Sequence, residues 1–194
     1  MSPEAARAAV DAVFGLFASG GSADYIGEPV SQEQHALQAA EAARCCGASD
    51  EVVLAALLHD IGHLFGQSEG AERMITGDVI LGVANHERVG AQFLRAQGFP
   101  ERVACLVENH VQAKRYLTFK NKAYYDKLSS ASRGTLAHQG GPMTAEEALL
   151  FEDSPDFQTI LRMRTWDEAA KRPDAQTTPL GFYKDLCLSV LLRN

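Results

Sequence analysis

Four histidines and two aspartates have the types and spacing of a two-metal site: His35, His59-Asp60, His86, His110 and Asp167, with 23, 25, 23 and 56 residues between successive positions. A single imidazole in an apolar stretch is most often a hydrogen-bonded core residue. A His-Asp dipeptide closing an apolar helix, joined by three more histidines and an acid at such intervals, asks for another explanation. Imidazole and carboxylate are donors that borderline divalent metals accept, and iron, zinc, manganese and nickel all suit them. Four imidazoles and two carboxylates exceed what one tetrahedral zinc with an open position uses. They match two metals that share one carboxylate. Asp60 follows His59 directly and is placed to be that bridge.

The elements that must carry these residues read almost entirely as helices. Residues 3–18 repeat apolar positions at helical spacing (Ala6, Val10, Val13, Phe14, Phe17) and stop at Gly20-Gly21. Residues 22–30, SADYIGEPV, read as a loop. Ser31 and Gln34 have the spacing of a capping box that opens a helix running to Gly47 and puts His35 at its fourth position. Ser49 begins the next helix, which ends VVLAALLHDIGH; Asn85 heads one that runs to Gly98, and Pro100 opens one that reaches His110. Residues 113–141 mix Tyr, Lys, Ser and Gly, and are expected as a long irregular excursion with a short helix near 121–128. Thr144 and Glu147 form a second capping box. Ser154-Pro155 starts the helix of Arg164, Trp166 and Asp167, and Pro179 opens the last. No strand pattern or internal repeat stands out. The fold class is all-α: one helical bundle over residues 1–194, with the metal ligands projecting into its core.

Composition narrows the function classes. The net charge of −7, from 18 Lys+Arg against 25 Asp+Glu, argues against nucleic acid as the main partner but leaves room for a small anion held by a few local cations. The N-terminus MSPEAARAAVDAVF lacks the basic start of a signal peptide, and no stretch approaches the ~20 apolar residues of a membrane span. Cys45, Cys46, Cys105 and Cys187 form no CxxC and read as reduced, buried thiols of a cytoplasmic protein.

The pattern H…HD…H…H…D resembles the HD-domain superfamily of metal-dependent helical proteins over nearly the whole chain. The surrounding residues narrow the resemblance. DYIGE at 24–28, LLHDIGH at 57–63, HVQAKRYL at 110–117 and WDEAAK at 166–171 are similar to the PhnZ/TmpB-type oxygenases, mixed-valent diiron enzymes that cleave the carbon–phosphorus bond of 1-hydroxy-2-aminoethylphosphonates. Myo-inositol oxygenase is a more distant relative. The resemblance implies that His35, His59, Asp60 and Asp167 bind one iron, and that His86, His110 and the bridging Asp60 bind the other. It implies two iron ions, one ferrous and one ferric, with O2 and a small hydroxylated aminophosphonate as reactants. It also implies that loop 22–30 is a lid, with Tyr25 at an iron position when substrate is absent and Glu28 at the substrate's ammonium end. The implied substrate is 1-hydroxy-2-(trimethylammonio)ethylphosphonate, giving glycine betaine and phosphate, or its unmethylated analogue 2-amino-1-hydroxyethylphosphonate, giving glycine and phosphate.

The other polar residues suit that picture. A phosphonate needs cations and hydroxyls around it. Lys114 lies one helical turn beyond His110, Arg164 one turn before Asp167, and His63 one turn beyond His59. Ser132 and Thr135 can add neutral donors. Asp60, His63 and Tyr25 are thus candidate catalytic residues, and Glu28, His63, Lys114, Ser132, Thr135 and Arg164 candidate substrate contacts. Each imidazole ligand should donate its second N–H to an acceptor, with Glu108, Glu87 and Glu33 as candidates. Aromatic faces that could meet a methylated ammonium are Tyr25, Tyr116 and Phe119. Tyr124 and Tyr125 either face the pocket or cover the core, and His138 reads as a surface residue. Two other classes share features of this reading. An HD phosphohydrolase using a metal-bound hydroxide would have every one of these ligands and is separated by the Tyr25/Glu28 lid and by O2 dependence. A non-catalytic signalling module would be expected to have lost ligands, and here the set is complete.

Overall fold

The computed structural model describes residues 1–194. Its first helix, α1 (Pro3–Gly20), starts under a Ser2 cap and buries the apolar stripe seen in the sequence. The capping box at Ser31 and Gln34 forms, with both reciprocal bonds in place, and opens α2 (Gln32–Cys45). Next comes α3 (Asp50–Leu58), buried at every position from Val52 to Leu58. A helix that is apolar on all sides belongs in the middle of a bundle. This one packs against α2, against α6 (Glu101–Lys120), α10 (Phe157–Ala169) and α11 (Leu180–Arg193). Its axis therefore ends inside the molecule, and the two residues after it, His59 and Asp60, are delivered to the centre. There the chain breaks, and α4 (Ile61–Ser68) sets off in a new direction with Asp60 at its N-cap position.

The crossing of α4 with α5 (His86–Ala96) is close enough to need glycine. A Cβ on Gly62 would lie 1.9 Å from the His86 carbonyl oxygen and 2.7 Å from the Gly90 nitrogen. The missing side chain lets α4, which follows directly on His59-Asp60, meet the helix carrying His86. Most of the buried apolar residues join one cluster of 40 side chains, among them Phe93, Phe151 and Trp166, with Phe65 packed at its margin.

Two expectations are corrected. A strand pair is present: β1 (Arg73–Thr76) and β2 (Val79–Val83) form an antiparallel hairpin with Ile75 opposite Ile80 and Thr76 opposite Val79. Its signal was the two-residue Gly77-Asp78 turn between β-branched runs. Ile75, Val79 and Ile80 are all exposed, so no apolar alternation marks the strands. The segment 113–141 is also not irregular. Helix α6 continues ten residues past His110 to Lys120, and is followed by α7 (Lys122–Lys127) and α8 (Ser130–His138). The continuation was hidden because two of its inward positions are Lys114 and Thr118, both buried, so polar residues interrupt the apolar stripe. Asn121 and Ser129 cap the two short helices with their side chains. The next, α9 (Ala145–Glu152), begins with the second expected capping box. Smaller shifts follow the same logic: α2 stops at Cys45, and α10 begins at Phe157 rather than at Ser154-Pro155. Of the four thiols only Cys187 is buried; Cys45 and Cys46 are exposed and Cys105 is intermediate. No helix is long and apolar enough to cross a membrane.

Candidate metal centre

Five elements bring the six predicted ligands together as two trios of donor atoms, His35/His59/Asp167 and Asp60/His86/His110. His35 comes from the first turn of α2, His59 and Asp60 from the break after α3, and His86 from the first residue of α5. His110 comes from mid-α6 and Asp167 from α10. Asp60 joins the trios. Its Oδ1 lies 3.2 Å from His86 Nε2 and 3.4 Å from His110 Nε2, while its Oδ2 lies 3.4 Å from His59 Nε2 and 3.6 Å from His35 Nε2. One carboxylate oxygen thus faces each trio, as a bridge requires. Asp167 Oδ1 completes the first, 3.3 Å from His35 Nε2 and 3.8 Å from His59 Nε2.

The tautomers test whether cations fit. His35 Nδ1 is 2.8 Å from the Ala170 carbonyl oxygen, His59 Nδ1 is 2.8 Å from that of Ala56, and His110 Nδ1 is 2.6 Å from that of Val107. A carbonyl only accepts, so each of these rings carries its proton on Nδ1 and, when neutral, turns a lone pair inward from Nε2. Yet His35 Nε2 and His59 Nε2 stand 3.1 Å apart, and His86 Nε2 and His110 Nε2 3.2 Å apart. In the first pair two lone pairs face each other and repel, and a cation between them turns the repulsion into coordination; in the second, His86 Nδ1 has no hydrogen-bond partner to fix the proton's place. Asp60 Oδ2 is buried without a hydrogen-bond partner. Burial works against charge on His59, but Asp60 and Asp167 outweigh it and raise its pKa to about 9. The cluster thus draws positive charge to itself, and the donor set fits a dinuclear metal site. For three rings the acceptor of the outer N–H is a backbone carbonyl and not a glutamate. Only Glu87 approaches a ligand, its Oε2 3.6 Å from His86 Nδ1. Glu108 is engaged by Arg95, and Glu33 lies beside Gly21.

A single small pocket of 60 Å3 opens over the trios, and every predicted substrate and lid residue lines it: Tyr25, Glu28, His63, Lys114, Ser132, Thr135 and Arg164. The Tyr25 ring stacks on His35 at 3.9 Å. Burial, then the charges of Asp60 and Asp167, hold that phenol well above its ordinary pKa, so it stays protonated as a donor. His63 stacks on His86 at 4.0 Å. Burial, then the neighbouring His86, push its pKa well below the ordinary imidazole value. Its Nδ1 accepts the Val83 N–H at 3.0 Å, so neutral His63 carries its proton on Nε2. Gly82 permits this: at φ 102° it lies so close that a Cβ would come within 2.6 Å of the ring.

The cations are unusually placed. Lys114 is only 4% exposed and donates to Thr135 Oγ1 at 2.8 Å. Burial, then repulsion from Arg164, lower its pKa to about 7. Burial opposes charge on Arg164 too, but Asp167, Tyr124 and Glu168 keep it protonated. Its Nη1 donates to Asp167 and its Nε to Tyr124 and Glu168, leaving Nη2 buried with no partner. Sequence reasoning missed Lys171, which lines the pocket and pairs with Glu28. Its place one turn beyond Asp167 was the available signal. Tyr116 and Phe119 do not line the pocket: the Tyr116 hydroxyl donates to Glu152 among Phe151 and Phe157, and Phe119 is exposed. Tyr124 faces Arg164, and His138 bonds Thr76 on the hairpin.

Comparison with known proteins agrees with this arrangement. The HD-domain family model matches residues 33–152. A [1-hydroxy-2-(trimethylamino)ethyl]phosphonate dioxygenase (glycine-betaine-forming) of Leisingera caerulea is 39% identical over 87% of this chain and 83% of its own. A hydroxymethylphosphonate dioxygenase of Gimesia maris is 40% identical over 84% of this chain and 78% of its own. An uncharacterized protein of Acanthamoeba polyphaga mimivirus is 37% identical over 94% of this chain and 81% of its own. The chain belongs to the HD-domain family of metal-dependent helical proteins and, within it, to the group that contains these phosphonate dioxygenases.

Proposed function

We propose that this protein is a diiron oxygenase that uses O2 to cleave the carbon–phosphorus bond of a 1-hydroxylated phosphonate. The observation that carries the reading is the burial of two cations, Lys114 and Arg164, in the same pocket as two metal trios joined by Asp60. A buried lysine and a buried guanidinium with an unpartnered nitrogen are costly unless an anion comes to them. The names of two relatives supply the anion's class. The proposed substrate is 1-hydroxy-2-(trimethylammonio)ethylphosphonate, or its unmethylated analogue. The balance is one O2 consumed per carboxylate and phosphate formed, with both oxygen atoms retained in products.

In this reading His35, His59 and Asp167 hold one iron, His86 and His110 the other, and Asp60 spans both. A ferrous and a ferric ion would supply O2 activation and the oxidising power to break the substrate's C1–H bond. The protein's part is positioning. Lys114 and Arg164 Nη2 hold the phosphonate, helped by the Ser132 and Thr135 hydroxyls. Neutral His63 offers its Nε2–H to an oxygen of the substrate. Tyr25, stacked over His35, covers the first trio and moves aside as substrate enters. Glu28 faces the substrate's far end.

The test is anaerobic purification with metal analysis and electron paramagnetic resonance, before and after adding a 1-hydroxy-2-aminoalkylphosphonate, followed by phosphate release with and without O2. Two irons per chain and phosphate released in step with O2 uptake are expected. Hydrolysis of a phosphate ester without O2, by protein holding zinc or magnesium, would establish the phosphohydrolase reading instead.

A further inference from the structure

Three carboxylates line the pocket, and two of them, Asp60 and Asp167, belong to the metal trios. Glu28 is the acid left to meet the substrate. It is already paired: Lys171 Nζ donates to Glu28 Oε1 at 2.7 Å, and Ser129 Oγ donates to the same oxygen at 2.7 Å. The pair sits inside, with the Glu28 side chain 9% exposed and that of Lys171 18%. Its lysine is held firmly. The carbonyl of Ala170, one residue before, accepts from His35 Nδ1. One residue after, Arg172 is bracketed by Gln38, whose Nε2 donates to the Arg172 carbonyl at 2.9 Å and whose Oε1 accepts the Arg172 N–H at 3.1 Å. The lid loop, the cap of α8 and the segment after α10 therefore converge on one carboxylate oxygen. A charge-assisted bond of this kind is roughly twice as strong as a neutral one.

We propose that Lys171 sets the specificity for the substrate's far end: as the internal counter-ion of Glu28 it takes the place of a substrate ammonium, leaves that end of the pocket electrically neutral, and so admits 1-hydroxyphosphonates that carry no amine. A cationic substrate must displace the lysine to reach Glu28, and part of its attraction is spent in that exchange. A substrate without the amine meets an intact ion pair and loses nothing. The proposal rests on the oxygenase reading above, and it concerns the chemical difference between the substrates named for the two relatives, one with a trimethylated amine and one with none.

The experiment is equilibrium binding by calorimetry, in iron-loaded protein without O2, of hydroxymethylphosphonate and 2-amino-1-hydroxyethylphosphonate. The ratio of the two dissociation constants is the readout. Lys171→Met exposes the Glu28 charge and should shift the ratio about ten-fold or more toward the amine-bearing ligand, the size of one lost charge-assisted contact. Lys171→Arg keeps the pair and should hold the ratio within about two-fold of the parent, given one retained cation. A Lys171→Met protein that binds both ligands more weakly with an unchanged ratio would mean that Lys171 serves the phosphonate or merely anchors the lid, and would overturn the proposal alone. If the parent binds neither phosphonate, the functional reading falls and takes this inference with it.

Discussion

At the residue scale, two side chains test the proposal most directly. Asp60 faces one trio with each of its oxygens, and the surrounding His59, His110 and His86 hold it ionised against the effect of burial. Asp60→Ala should therefore remove both metals together, to less than about a tenth of the parent content, because each site loses an anionic donor. Full metal retention in that variant, measured by elemental analysis, would rule out the bridge. Lys114 carries the second prediction. With its pKa near 7 the free pocket loses this charge as pH rises, so phosphonate affinity should fall above about pH 7. The sign follows from the bound state: an anion beside Lys114 favours the charged form and pulls its pKa back toward the ordinary 10.5. Between those values binding must take up a proton. Calorimetry at about pH 8.5 in buffers of different ionisation enthalpy should register it, and Lys114→Met should abolish it, with a roughly ten- to hundred-fold loss of affinity.

At the scale of elements, the α4–α5 crossing is the joint that brings His59-Asp60 to His86. A methyl on Gly62 meets backbone rather than a movable side chain, since the His86 carbonyl would be 1.9 Å away. Gly62→Ala should cost about 3 kcal/mol, hence roughly 6–12 °C in melting temperature for a chain of this size. It should also loosen the metal held by His86 and His110 more than the one held by His35 and His59. A variant that melts like the parent with both metals in place would show that the two helices can separate without harm. The hairpin is a joint of a different kind: it presents the Val83 N–H that selects the His63 tautomer. Its role could not be read from strand pattern, because its side chains face solvent and no apolar alternation marks it.

At the scale of the molecule, the centre is an electrostatic structure built into an apolar one. The chain is acidic overall, at −7, yet Lys114 and Arg164 gather in one pocket, so an anion is attracted locally and not by the net field. The carboxylates of the centre are balanced by cationic and imidazole neighbours, Asp60 by His59, His110 and His86 and Asp167 by Arg164 and His35. Metals bind this arrangement only in the folded state, so their removal should lower stability. At a free metal concentration of about a thousand times Kd the linkage is worth about 4 kcal/mol, which corresponds to roughly 8–16 °C in melting temperature. Chelation followed by a thermal melt checks this, and readdition of iron should restore the loss. An identical melt for stripped and loaded protein would mean that the trios do not hold ions.

The clustering of the six candidate ligands was legible in the sequence because metal chemistry admits few residue types and because a helix end is a local event. Ser31 with Gln34 and Thr144 with Glu147 close their capping boxes within a single turn, and the apolar run before His59 forces that pair into the core. Lys114 and Arg164 could be tied to the site from spacing alone, since one helical turn separates each from a ligand. What the sequence could not determine were the partnerships made across the fold. Ala170 accepts from His35 across 135 positions of chain, Lys171 meets Glu28 across 143, and Ser129 reaches that same carboxylate across 101. Periodicity and caps act over a turn or two, whereas the choice of a hydrogen-bond partner between distant segments is made only when helices pack and a buried donor must find an acceptor.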